Sequence, residues 1–145
     1  MRTENVESKI RSIVEGMGVR YLFANWAQAN VSFDDINEPT IIYLLPTNGT
    51  THYNGATAKD EPQTQLAFVV SSEFDFDGIE NDDKVEAMKT LAVRFFHRVA
   101  QSGLFEPLPN LLPYRTIYDT MDDNVTGVVY DITLKERKGY NVCEL

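Results

Sequence analysis

One cysteine, Cys143, occurs in 145 residues. That excludes an intrachain disulfide and any metal site built from clustered cysteines. It sits two residues from the end of the sequence and is expected to be incidental rather than reactive. Histidine is nearly as scarce. His52 and His97 have no second histidine three or four residues away, so no helical zinc pair exists. No nucleophile elbow accompanies either one. Lys and Arg total 13 against 22 Asp and Glu, a net charge of −9, which argues against binding nucleic acid through phosphate contacts, since these need clustered cations. No apolar run approaches the roughly 20 residues that span a bilayer. The opening MRTENVESKIRS lacks the apolar stretch of a secretory signal, so the chain is expected to stay in the compartment where it is made. Gly16 and Gly18 have no third glycine and follow a helical pattern, not a strand, so they form no dinucleotide fingerprint, and no phosphate loop is present. The Asn-x-Ser/Thr triplets at Asn30, Asn48 and Asn124 are chance matches in the absence of a signal.

What remains is ordinary for a folded domain: 43% hydrophobic and 24% charged residues. Residues 1–145 are expected to form one domain with a real core. Acidity on this scale has two readings, solubility and a surface that repels polyanions, such as the wall of a channel that DNA passes through.

The best-specified element is 81–103, NDDKVEAMKTLAVRFFHRVAQSG. Val85, Met88, Ala92, Phe95 and Val99 recur at helical spacing, and Leu91 and Phe96 widen the stripe enough to pack on a sheet. Asn81 is the expected cap, Asp82 and Asp83 suit the helix dipole, and Gly103 can close the helix. A second amphipathic helix is expected over 3–17, with Thr3 as cap, Val6, Ile10, Ile13, Val14 and Met17 on one face, and Gly16 and Gly18 at its end.

Residues 19–37 carry less pattern: VRYLF at 19–23 could be a short strand, while NWAQAN at 25–30 suits a turn or a helical turn. Trp26, the one tryptophan, is either a core anchor or an exposed contact, and FDDINEP at 33–39 is a loop. TIIYLL at 40–45 and QTQLAFVVSSEFDF at 63–76 read as strands that pair antiparallel. Between them, 47–62 carries Asn48-Gly49 and Asn54-Gly55, either of which could close a hairpin. The whole stretch is expected to be a long, flexible, exposed loop, and loops of that length are often functional. Prolines 107, 109 and 113 keep 104–113 from being helical. Residues 114–119 and 125–134 are the last strands, with Val128, Tyr130, Ile132 and Leu134 on the buried side of the second. The segment 137–145 is expected to be a polar tail. The order α-β-β-α-β-β predicts an α+β fold, a mixed or antiparallel sheet of about four strands packed by two helices.

Candidate chemistry is sparse. Asp75, Asp77, Glu80, Asp82 and Asp83 alternate as calcium ligands can, but the EF-hand spacing fails, and a turn entering a helix explains them. No catalytic, cofactor-binding or metal-ligating residue is therefore assigned.

The order of segments resembles the small phage tail-terminator and tail-completion proteins. The residues that carry the likeness are FDDINEPTIIYLLP at 33–46, QLAFVVSSEF at 65–74, the helix over 82–102 and VTGVVYDITLKE at 125–136. The resemblance implies a non-enzymatic α+β subunit of the virion, assembled in the host cytoplasm. It implies a homo-oligomeric ring, commonly a hexamer, that caps the tail tube and joins it to the head or neck. Its partners would be further copies, the tube and the connector, with DNA passing through an acidic lumen and no membrane or sequence-specific nucleic-acid contact. Two other readings stand beside it. One is a small-molecule or peptide-binding module of a cellular protein that uses 47–62 over the sheet. The other is an enzyme that uses a carboxylate pair from 75–83 with His52.

Overall fold

The computed structural model describes residues 4–25, 38–71, 79–120 and 125–144. Among these residues the fold is α+β: two helices on a mixed sheet of six strands rather than about four.

Helix α1 spans Val6–Gly16. Its cap is Asn5, not Thr3, which lies outside the described residues. The Asn5 side chain accepts from the Ser8 amide at 2.8 Å, and the Ser8 hydroxyl accepts from the Asn5 amide at 2.9 Å. This reciprocal pair satisfies two first-turn donors, so the start is set by Asn5-x-x-Ser8. Gly18, at φ 71°, supplies the left-handed residue after the last turn. Val6, Ile10 and Val14 are buried, with Ile13 and Met17 packed beside them, as the spacing predicts.

Strand β1 (Arg20–Ala24) runs parallel to β2 (Thr40–Tyr53), which turns back antiparallel into β3 (Thr57–Ser71). Helix α2 (Ile79–Ser102) leads to β4 (Tyr114–Thr120), β5 (Val125–Thr133) and the short β6 (Tyr140–Asn141). The sheet order is β1-β2-β3-β5-β4, with β6 paired to β3 off that path. The expected 63–76/40–45 pairing is present, with Ile41 opposite Phe68 and Tyr43 opposite Leu66.

In α2, Val85, Met88, Leu91, Ala92, Phe95 and Val99 are all buried, each of the larger ones contributing about 1.5–3 kcal/mol. They meet Ile41, Tyr43, Leu66, Phe68, Val128, Tyr130, Ile132 and Leu134 from one sheet face. Phe68 is the centre of this face, within 6.0 Å, centroid to centroid, of Phe95, Phe96 and Tyr130. Gly103 closes the helix at φ 70°, as expected. Asn81 does not cap it, because the helix begins two residues earlier, at Ile79. The opposite sheet face carries a smaller cluster of Ile42, Leu44, Ala67, Val69, Ile117, Val125 and Val129. The far side of β5 is therefore apolar at Val125 and Val129 and solvated at Asp131. Gly127 lies where β5 presses on β3: a Cβ there would sit 2.9 Å from Val69 Cα and closer still to the Phe68 carbonyl. No helix among the described residues is long and apolar enough to cross a membrane.

Two expectations are overturned. The 47–62 stretch is not a loop: β2 runs to Tyr53 and β3 starts at Thr57, and they pair from Asn48/Gln63 to Tyr53/Ala58. The 137–145 stretch is not a free tail, because Tyr140 and Asn141 pair with Ala58 and Thr57 and the Val142 amide donates to Ala56. Both segments form backbone ladders from mostly polar residues, so no alternation of apolar residues announces them.

Candidate functional site

The outer halves of β2 and β3, with the 134–142 segment along the inner side of β3, make an arm of the sheet. Its base is a register shift between Leu44 and Asn48, where Pro46 supplies no N–H to the ladder. The two backbones then close tightly at Gly49, where a Cβ would stand 2.9 Å from Pro62 Cα and 3.0 Å from the Glu61 carbonyl oxygen. At the tip, the Asn54 carboxamide oxygen accepts from the amides of Ala56 and Thr57 at 2.9 and 2.8 Å, and Gly55 takes φ 92°. Asn-Gly thus does here what its chemistry favours, turning a hairpin.

Cross-strand bonds fasten the arm. The Thr51 hydroxyl donates to Asp60 at 2.9 Å, and His52 Nε2 lies 2.8 Å from Glu61 Oε1. Underneath, the chain after β5 runs alongside β3. The Leu134 amide donates to the Pro62 carbonyl at 3.0 Å and the Glu136 amide to Asp60 at 3.4 Å.

Glu136 is the buried charge of this region, with a side chain 1% exposed. Lys9 Nζ from α1 approaches Oε1 at 3.4 Å, and the Asp60 amide donates to Oε2 at 3.3 Å. Three segments distant in sequence therefore meet on one carboxylate at the arm's base. Sequence reading missed this, because Glu136 lies in the polar run KERK and nothing local distinguishes it from a solvated residue.

A groove of about 240 Å3 separates the arm's base from the start of α1, lined by Asn5, Glu7, Tyr43, Thr50 and Asp60 among others. Burial pushes the Tyr43 phenol up to about 12. The neighbouring Tyr21 phenol is pushed up by burial and then by its bond to Glu7, to which it donates at 2.7 Å. At the other end of the sheet, Tyr114 on β4 is half exposed with Lys89 Nζ 4.6 Å from its ring centre.

All residues 48–57 are exposed. This run, NGTTHYNGAT, contains no carboxylate in a chain that has 22. The arm is thus an accessible stretch where an acidic protein presents neutral polar surface, with Tyr53 68% exposed at its end.

The residues weighed for catalysis are not brought together. His52 is on the arm and pairs with Glu61, with its side chain 58% exposed. His97 is on the exposed side of α2. Asp75 and Asp77 lie outside the described residues, as does Trp26. Among the described residues no group of three His, Cys, Asp or Glu is placed to hold a metal ion. A cleft of about 580 Å3 lies between the Pro46 bulge, β3, β5 and 109–113. Its polar groups include Gln65 and Asp131, which bond each other at 3.0 Å.

Comparison with protein-family models, with curated proteins and with solved structures gives no match.

Proposed function

We propose that this chain is a non-enzymatic assembly subunit of a phage tail or neck, a tail terminator that forms a homo-oligomeric ring on the head-proximal end of the tail tube. The observation that carries this reading is the arm: ten consecutive exposed residues, 48–57, along the outer half of β2 and its turn. The 134–142 segment lines the inner side of β3, which leaves the outer side of β2 as the open edge, and a long exposed strand edge is a template for pairing with another chain. The segment order from residue 33 to 136 supports the same reading through its likeness to tail terminators. The net charge of −9 suits a conduit, since a wall that repels phosphate does not retain passing DNA. Its partners are further copies, the tail tube and the connector, and its place is the virion neck.

Adding the purified protein to terminator-deficient tail tubes and imaging them by negative stain tests this. Rings seated at one tube end are expected. Bare tube ends at saturating protein would reject the reading.

One observation favours a second reading, a peptide- or small-molecule-binding module. The 580 Å3 cleft combines Leu111 and Leu112 with Gln63, Gln65 and Asp131, the mixture of apolar wall and few polar groups that ligand sites show.

A further inference from the structure

We infer that the outer edge of β2 along 48–53 pairs with the β4 edge of a second copy, so that the sheet continues from one copy to the next. This rests on the assembly reading above and names the surfaces that would build the ring.

The first argument is backbone accounting. Strand β1 covers the outer side of β2 only from Thr40 to Leu44. Beyond the bulge, β2 pairs inward with β3 from Asn48 to Tyr53, and among the described residues no strand takes its outer side. At the far end of the sheet, β4 pairs with β5 alone among the described strands.

The second argument is what this edge lacks. Proteins shield exposed edges with lysine, proline, bulges or inward charges. Here Pro46 and the bulge precede the edge, and Lys59, Asp60 and Glu61 belong to the inner strand. The edge itself, NGTTHY, offers Thr50, Thr51 and Tyr53, which are good strand formers.

The third argument is charge. Two copies at −9 repel each other, so a self-contact belongs where carboxylates are absent. Residues 48–57 carry none, and β4 opens with Tyr114, Arg115 and Thr116, all exposed and one of them cationic. Exposed apolar side chains stand at both surfaces, Tyr53 on the arm and Leu111 and Tyr114 at β4.

Sheet order then selects the symmetry. The arm edge and β4 face opposite ends of β1-β2-β3-β5-β4, so one copy can engage two neighbours at once. That head-to-tail arrangement builds a ring where the rotation between copies closes and a filament where it does not, whereas an edge pairing with itself stops at a dimer.

Cysteine cross-linking tests the pairing. In a Cys143→Ser background, the chain carrying both Thr50→Cys and Thr116→Cys is treated with a short bis-maleimide and run on a denaturing gel. A ladder at two, three and more chain masses is expected from the double variant, with each single variant remaining at one. Dimers from Thr50→Cys alone would overturn the inference in favour of self-pairing edges. A sample that is oligomeric by native mass yet gives no ladder would overturn the pairing and leave the assembly reading intact. A chain that stays monomeric, alone and with tail tubes, would overturn both. As a second variant, Thr50→Glu places a carboxylate on the edge. It should keep the wild-type circular dichroism and weaken self-association roughly tenfold or more, and unchanged association would also count against the pairing.

Discussion

Replacing Lys9 with Met should reveal how the arm's base is held. Lys9 reaches Glu136 at 3.4 Å, and the two side chains are 13% and 1% exposed, so solvent screening offers the carboxylate little relief. Charge-assisted contacts of this type are usually about 2.7–2.9 Å, so the attraction is weaker than ideal geometry would give, while the desolvation of Glu136 is nearly complete. Removing one partner of a buried pair typically costs about 3–5 kcal/mol, because the other charge is left uncompensated. Against a total domain stability of about 5–15 kcal/mol, Lys9→Met should visibly lower the urea midpoint, with the m-value unchanged. Adding Glu136→Leu removes the buried charge, but it also takes an acceptor from the Asp60 amide, worth about 1–3 kcal/mol. The double variant should therefore be more stable than Lys9→Met and within about 3 kcal/mol of wild type. Urea unfolding followed by circular dichroism measures all four corners of the cycle. If Lys9→Met costs less than about 1 kcal/mol, as exposed pairs do, or if the double variant is the least stable of the four, the account of Glu136 as a desolvated charge is wrong.

Further outcomes follow from the same structure. Gly127→Ala sets a Cβ against the backbone of Phe68 and Val69, which cannot rotate away, so it should destabilise by at least about 1–3 kcal/mol in denaturant melts; a neutral result would mean that β5 and β3 are farther apart than described. Tyr43 is buried and its phenol is raised to about 12, above an ordinary value of about 10. Its contribution is therefore complete below pH 10 and is lost as pH rises toward 12, with a slope of about 1.4 kcal/mol per pH unit. Tyr43→Phe should flatten that alkaline fall, as read from melts at pH 9–12. His52→Ala removes a mostly exposed pair with Glu61 and should change stability by less than about 1 kcal/mol.

The parts legible in the sequence were those where side chains carry the pattern. Helix α2 announced itself because Val85, Met88, Ala92, Phe95 and Val99 must all face the sheet, and the apolar runs of β2 and β3 did so because both their faces are covered. The arm was misread because its strands are held by backbone bonds and by the Asn54-Gly55 turn, while the outer strand from Asn48 to Tyr53 is exposed throughout and the inner one is mostly half-buried polar residues. The hairpin signal was present in that Asn-Gly pair, flanked by Thr50, Thr51 and Thr57, but the same polar run also suits a loop. Strand β6 consists of two residues, too few for any period. Glu136 looked solvated because Lys9, the group that makes its burial tolerable, lies 127 positions away. The start of α1 shows a subtler failure: Thr3 and Asn5 are both capping residues, and only the reciprocal bond with Ser8 decides between them.

The central claim, that this chain is a ring-forming assembly subunit, is tested most directly by native mass measurement over a concentration series, with and without tail tubes. The account predicts a defined multiple of the 16.5 kDa chain, in solution or on the tube. A mass of 16.5 kDa at every concentration, with none retained on tubes, would contradict it.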